Sequence, residues 1–114
     1  MALAIASREV DGVIVLDLSG RITLGEGSVQ LRDSIRDLIG KGQRRILLDL
    51  GDVNYIDSSG LGELVSAYTS ARNQGATVKL LKLTKKVHDL LQLTKLYTVF
   101  DIYDDEASAI ASFK

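Results

Sequence analysis

The chain has 114 residues, of which 46% are hydrophobic and 25% charged, with a formal net charge of −1. That length supports one hydrophobic core and not two, the composition excludes wholesale disorder, and the near-neutral charge speaks against a nucleic-acid binder that relies on a basic field. The absence of cysteine removes disulfide and thiolate-metal chemistry, and no apolar run approaches the roughly 20 residues of a membrane span.

The start, Met1-Ala2-Leu3-Ala4-Ile5-Ala6, has no basic segment of the kind that opens a signal peptide and reads as a strand. The expectation is therefore one domain over residues 1–114, cytoplasmic and without membrane insertion. Leu3, Ile5 and Val10 mark a first strand, and Asp11-Gly12 is a two-residue hairpin turn. Val13-Ile14-Val15-Leu16-Asp17-Leu18 follows as a second strand, apolar enough to be buried on both faces and ended by Ser19-Gly20. A loop from Arg21 to Gly27 leads into a helix from about Ser28 to Ile39. Leu31, Ile35, Leu38 and Ile39 form its apolar stripe, and Gly40 and Gly42 stop it.

Arg45 to Leu50 reads as a central third strand, and Asp52 to Gly62 as a strand-to-helix turn. Leu61, Leu64, Val65, Tyr68 and Ala71 then line a helix ending near Asn73-Gln74-Gly75. Ala76 to Leu83 is a fourth strand. Thr84 caps a short helix with Val87, Leu90 and Leu91 inward. Thr98 to Tyr103 is a fifth strand, and Asp104-Asp105-Glu106 opens a last helix anchored by Ile110 and Phe113, where the helix dipole favours acids. The class is α/β: a mixed, mostly parallel sheet of four to five strands, opened by an antiparallel hairpin and covered by four helices. Functional residues of such sheets gather at the carboxyl ends of strands, where Asp57-Ser58-Ser59-Gly60 falls.

Simple capping would account for one polar residue at that turn, at about 1 kcal/mol. Here three stand in a row and Gly60 and Gly62 follow, although glycine in a helix costs roughly 1 kcal/mol relative to alanine. Close approach of another backbone or a ligand is the simplest reason for such glycines. A phosphate on Ser58 would meet the positive end of the helix dipole and free amides, changing the surface more than the fold.

Other chemistries fit poorly. A serine nucleophile needs a base and an orienting acid, yet His88 is the only histidine and falls on the polar side of its helix. Gly60-Leu61-Gly62 and Gly25-Glu26-Gly27 lack the third glycine of a dinucleotide fingerprint, with Val65 and Gln30 in its place. Metal-ligand clusters are missing, and no cofactor is expected. Lys79, Lys82, Lys85 and Lys86 form a basic run that reads as a solvated strand edge and helix start.

Leu48-Asp49-Leu50, Asp52-Val53 and Asp57-Ser58-Ser59-Gly60-Leu61-Gly62, with Ser19-Gly20-Arg21-Ile22 upstream, resemble the STAS domain of bacterial anti-sigma factor antagonists. The resemblance runs from about residue 3 to residue 113. It implies a non-enzymatic interaction module phosphorylated on Ser58, with Ser59 as a second candidate. The unphosphorylated form would bind an anti-sigma factor that is itself a serine kinase of the histidine-kinase-like ATPase type, freeing a sigma factor. A PP2C-type phosphatase would reset the switch. Thr23, Glu26, Asp57, Ser58, Ser59, Gly60, Gly62, Glu63 and Ser66 are the expected partner contacts. The alternative is a non-switching STAS subunit of a signalling scaffold or of a lipid-transport ATPase complex. Thr23 stands where relatives often carry an acid, and the Gly25–Gly27 loop where many enter the helix directly.

Overall fold

The computed structural model describes residues 3–23 and 25–114, with the backbone but not the side chain of Glu26. Met1 and Ala2, and Leu24 of the expected loop, lie outside the described residues. The elements are β1 (Leu3–Val10), β2 (Val13–Ile22), α1 (Glu26–Gly40), β3 (Arg45–Ile56), α2 (Ser58–Asn73), β4 (Thr77–Leu81), α3 (Lys85–Leu93), β5 (Ile102–Tyr103) and α4 (Glu106–Ala111).

The five strands lie in chain order, β1-β2-β3-β4-β5, antiparallel between β1 and β2 and parallel from β2 to β5. Asp11 and Gly12 both take positive φ, at 52° and 81°, as a tight two-residue hairpin requires. From β2 onward each crossover steps to the next strand in the same direction. Right-handed crossovers then put α1, α2 and α3 on one face, where Ile46, Leu48 and Leu50 of β3 join Leu31, Leu64 and Leu91 of the helices in one core. The opposite face has a smaller core in which Val13, Val15, Leu47 and Leu81 pack against Ala109 and Ile110 of α4. β3 thus carries apolar side chains on both faces. Its Ile46, Leu47, Leu48 and Leu50 are fully buried, each stabilising the fold by about 1.5–3 kcal/mol relative to exposure.

Beyond that small core the same sheet face turns polar. Arg8 of β1 bonds Asp17 of β2 at 2.8 Å and also pairs with Glu106 at the start of α4. That guanidinium holds the Glu106 carboxyl below its usual range.

Several boundaries differ from the sequence expectation. β2 does not stop at Ser19-Gly20 but runs to Ile22, and β3 does not stop at Leu50 but runs to Ile56. The two extensions pair with each other across register shifts between Asp17 and Ser19 and between Gly20 and Arg21. At each shift β3 carries one extra residue, so Leu50, Val53 and Ile56, three apart, all reach the core. α1 and α2 begin earlier than expected, at Glu26 and Ser58. The fifth strand shrinks to Ile102–Tyr103, with Tyr97 to Val99 in a turn and Phe100 buried edge-on against Tyr68.

The basic run also separates. Lys79 is buried rather than solvated: its ammonium donates to Ser112 Oγ and O at 2.9 and 3.1 Å, beside the Phe113 ring. It faces α4, whereas Lys82 and Lys85 are exposed and lie near Asp49 and Asp89.

Candidate functional site: the first turn of α2

The turn from β3 into α2 is anchored from below by the last residue of β2. The Ile22 carbonyl accepts a hydrogen bond from Asp57 N at 3.4 Å. A Cβ at Gly60 would lie 2.0 Å from the same oxygen. Only glycine lets the helix sit this close to β2, which explains a residue that helix propensity disfavours. The approaching backbone is the chain's own. Gly60 is buried, and what a Cβ there would meet is Ile22.

Asp57 is the N-cap, in extended conformation, with Oδ1 accepting from Gly60 N at 2.6 Å while its carbonyl takes Leu61 N at 2.9 Å. One free amide of the first turn is thereby satisfied by a charged acceptor, a stronger bond than a neutral cap. Ser58 and Ser59 follow as the first two helical residues. Both are exposed, and neither hydroxyl is hydrogen-bonded among the described residues. Gly62 is exposed as well, and apart from its own stretch of helix no atom of the described residues lies within 4 Å of where its Cβ would stand. The two glycines therefore do different things. Gly60 fits the helix to the sheet, and Gly62 leaves the outer surface flat.

The remaining expected contacts spread outward from this turn. Glu63 is half-buried on the second turn, and its Oε1 is buried with no hydrogen-bond partner among the described residues. Ser66, a turn further, is exposed and borders a cavity of about 90 Å³ between α1 and α2, together with Arg32, Ile35 and Ala67. Thr23 is half-buried, its carbonyl accepting from Ser28 N at 3.1 Å at the entry to α1. Gly27, expected in a loop, lies inside α1 and is buried. The side chain of Glu26 is outside the described residues. The structure thus gathers Asp57, Ser58, Ser59 and Gly62 at one exposed helix start, with Glu63 and Ser66 along the same helix.

His88 takes no part in this turn. Its ring packs edge-on against Tyr97 at 5.5 Å, and Nδ1 lies 3.7 Å from Asp89. Sequence reasoning missed two participants. One is Ile22, whose carbonyl is the clamp and which hid behind an early strand end. The other is Tyr55, exposed just before the turn with Arg21 stacked on its ring at 4.6 Å. Alternation could not place Tyr55, because the register shifts reset it.

The molecule is thus an α/β sheet with helices α1–α3 on one face, a short helix on the other and an exposed serine pair at the end of its central strand. Comparison with known proteins gives this architecture its family. Residues 4–109 match the STAS domain family, and the chain belongs to it. The anti-sigma F factor antagonist of Paenibacillus polymyxa is 29% identical over 115 residues, covering 100% of this chain and 97% of its own. The anti-sigma-B factor antagonist of Bacillus subtilis is 28% identical over 102 residues, covering 90% and 92%. A crystal structure from Thermotoga maritima has the same fold, with a TM-score of 0.85 at 29% identity over 95% of this chain and 92% of that one.

Proposed function

We propose that residues 1–114 act as one STAS domain, a cytoplasmic anti-sigma factor antagonist controlled by phosphorylation of Ser58. In the unphosphorylated state it binds an anti-sigma factor and so frees a sigma factor. That anti-sigma factor is a serine kinase of the histidine-kinase-like ATPase type, and a PP2C-type phosphatase restores the binding form. The observation that carries this reading is the exposed, unbonded Ser58 hydroxyl directly after the Asp57 cap, at the carboxyl end of β3. Relatives named as anti-sigma factor antagonists over nearly the whole chain support the choice of partner.

The chemistry follows from the position. A kinase can reach Ser58 without unfolding anything, because the hydroxyl makes no bond among the described residues. The added group brings a charge of about −1.5 to −2 to a helix start, where the dipole tolerates it. Asp57, already holding the Gly60 amide, opposes the new charge mostly through solvent. The fold is kept while a flat, weakly charged surface becomes strongly anionic, and a partner fitted to the first form is repelled by the second. Ser59, equally exposed, is the second acceptor to examine. Ser58, Ser59, Gly62, Glu63 and Ser66 supply the contact face, with Thr23 and Glu26 at its flank.

Incubation with the cognate kinase and ATP, followed by mass spectrometry, tests the assignment. One phosphate on the 58–59 pair, abolished by Ser58→Ala, is expected. Labelling that persists in Ser58→Ala moves the switch to another residue, and co-purification with a transporter ATPase instead of a kinase would replace this reading with that of a structural subunit.

A further inference from the structure

Three residues ahead of Ser58, the carboxyl end of β3 carries a cluster that the switch itself does not use. Arg21 and Tyr55 are register partners across β2 and β3, and the Arg21 guanidinium carbon stands 4.6 Å from the Tyr55 ring centroid. Lys86, in the first turn of α3, brings its ammonium to 5.9 Å from the same ring. All three residues are exposed. The fold builds this arrangement. A register shift between Gly20 and Arg21 sets Tyr55 opposite Arg21. The Thr84 hydroxyl, donating to Val53 O at 2.9 Å, ties the start of α3 to β3 and delivers Lys86 to the same place.

Neither cation has a carboxylate within 4.0 Å among the described residues. Their neighbours do: Lys82 is 4.0 Å from Asp49 and Lys85 2.9 Å from Asp89. Arg36, Arg44, Arg45, Arg72 and Lys95 are also without an ion pair among the described residues, but none of them is held on an aromatic ring, and Lys79, which is, lies buried with its ammonium bonded to Ser112. A cation–π contact at an exposed site returns only about 0.5–1 kcal/mol, and two like charges on one ring oppose each other. Stability is a poor reason for the arrangement. Exposed tyrosine and arginine side by side are instead the composition of protein-docking centres, and two uncompensated positive charges select carboxylates.

We propose that Arg21, Tyr55 and Lys86 form a docking patch for an acidic segment of the kinase partner. The inference rests on the reading of Ser58 as that kinase's substrate. The Arg21 fork takes a carboxylate in bidentate fashion, the Tyr55 ring fixes the plane of that fork, and Lys86 adds a point charge beside it. The patch sets affinity and leaves the transfer step at Ser58 unchanged.

Steady-state phosphorylation of the full chain by the kinase that labels Ser58 tests this, using wild type, Arg21→Glu, Lys86→Glu, Tyr55→Ala and Lys85→Glu. The two charge reversals on the ring are expected to raise KM by about tenfold or more with kcat unchanged, and Tyr55→Ala by a smaller factor in the same direction. Lys85→Glu makes the same charge change one residue away and is expected to stay within about twofold of wild type. Equal KM values throughout, or an equal rise for Lys85→Glu, overturn the patch while leaving Ser58 as the acceptor. Wild type that takes no phosphate overturns the kinase reading and the patch with it. A ³¹P titration of the phosphorylated protein closes the other route: a phosphate pKa that rises in Arg21→Glu would assign these cations to the phosphoryl group in cis and overturn docking. Thermal melts of each variant identify any that fail to fold, and for those Arg21→Gln and Lys86→Gln repeat the KM comparison.

Discussion

Helices α2 and α3 both start where a parallel strand of the same sheet ends, and both carry a side-chain cap. At α3 the Thr84 hydroxyl accepts from Val87 N at 3.5 Å and donates to Val53 O at 2.9 Å, so the capping group is used twice and faces inward. The residues that follow, Lys85 and Lys86, put positive charge at the positive end of the dipole. At α2 the cap is a carboxylate with a short bond to Gly60 N, and the residues that follow are two exposed serines whose hydroxyls make no bond among the described residues. One helix start spends its polar groups on the fold. The other satisfies its cap with Asp57 and leaves two hydroxyls to solvent, which is the condition for a modification that spares the structure.

That contrast can be broken by substitution, starting with the tightest contact. Gly60→Ala places a methyl 2.0 Å from the Ile22 carbonyl, and a loss of about 3 kcal/mol or more is expected from forcing β2 and α2 apart. A urea midpoint close to that of wild type would mean the helix can slide and that Ile22 is no clamp. Asp57→Ala removes a charged cap and should cost about 1–2 kcal/mol, with Asp57→Asn recovering most of it. Thr84→Ala should cost about 1 kcal/mol, since it strips the α3 cap and leaves the Val53 carbonyl without its donor. A loss at α3 far exceeding that at α2 would reverse the ranking of the two caps. Gly62→Ala is expected to have the smallest effect and the opposite sign. Apart from its own stretch of helix, no atom of the described residues stands within 4 Å of the added methyl, so stability should rise by about 0.5–1 kcal/mol. If the flat surface is part of the docking face, partner affinity falls in the same variant, and a rise in both would remove Gly62 from that face.

The element order and the turn at Asp57-Ser58 were legible in the sequence because local signals agreed there: a strongly apolar run, a capping residue and a helical stripe. The ends of β2 and β3 were not. Leu50, Val53 and Ile56 recur every third residue, which fits neither strand alternation nor a helix, and Gly51, Asp52 and Asn54 have low strand preference. Two register shifts reconcile that spacing with a continuous strand, and they depend on pairing with β2 that no local pattern reveals. Gly60 was legible as an anomaly but not as an answer. Helix propensity marked it as needing a close neighbour, and only the tertiary structure identifies that neighbour as Ile22 O. Lys79 erred the other way, since a charged residue in a basic run reads as surface until Ser112 and Phe113 are found beside it.

The most direct test of Ser58 as a switch is to prepare the protein unphosphorylated and stoichiometrically phosphorylated at that position, then measure thermal stability and affinity for the cognate kinase on the same samples. A switch at Ser58 changes Tm by only a few degrees, since about 1 kcal/mol at a helix start moves Tm by roughly 4–8 °C at most in a domain of this size, and makes affinity at least about tenfold weaker for the phosphorylated form. Equal affinity of the two forms, or loss of binding only because the phosphorylated protein unfolds, would contradict it.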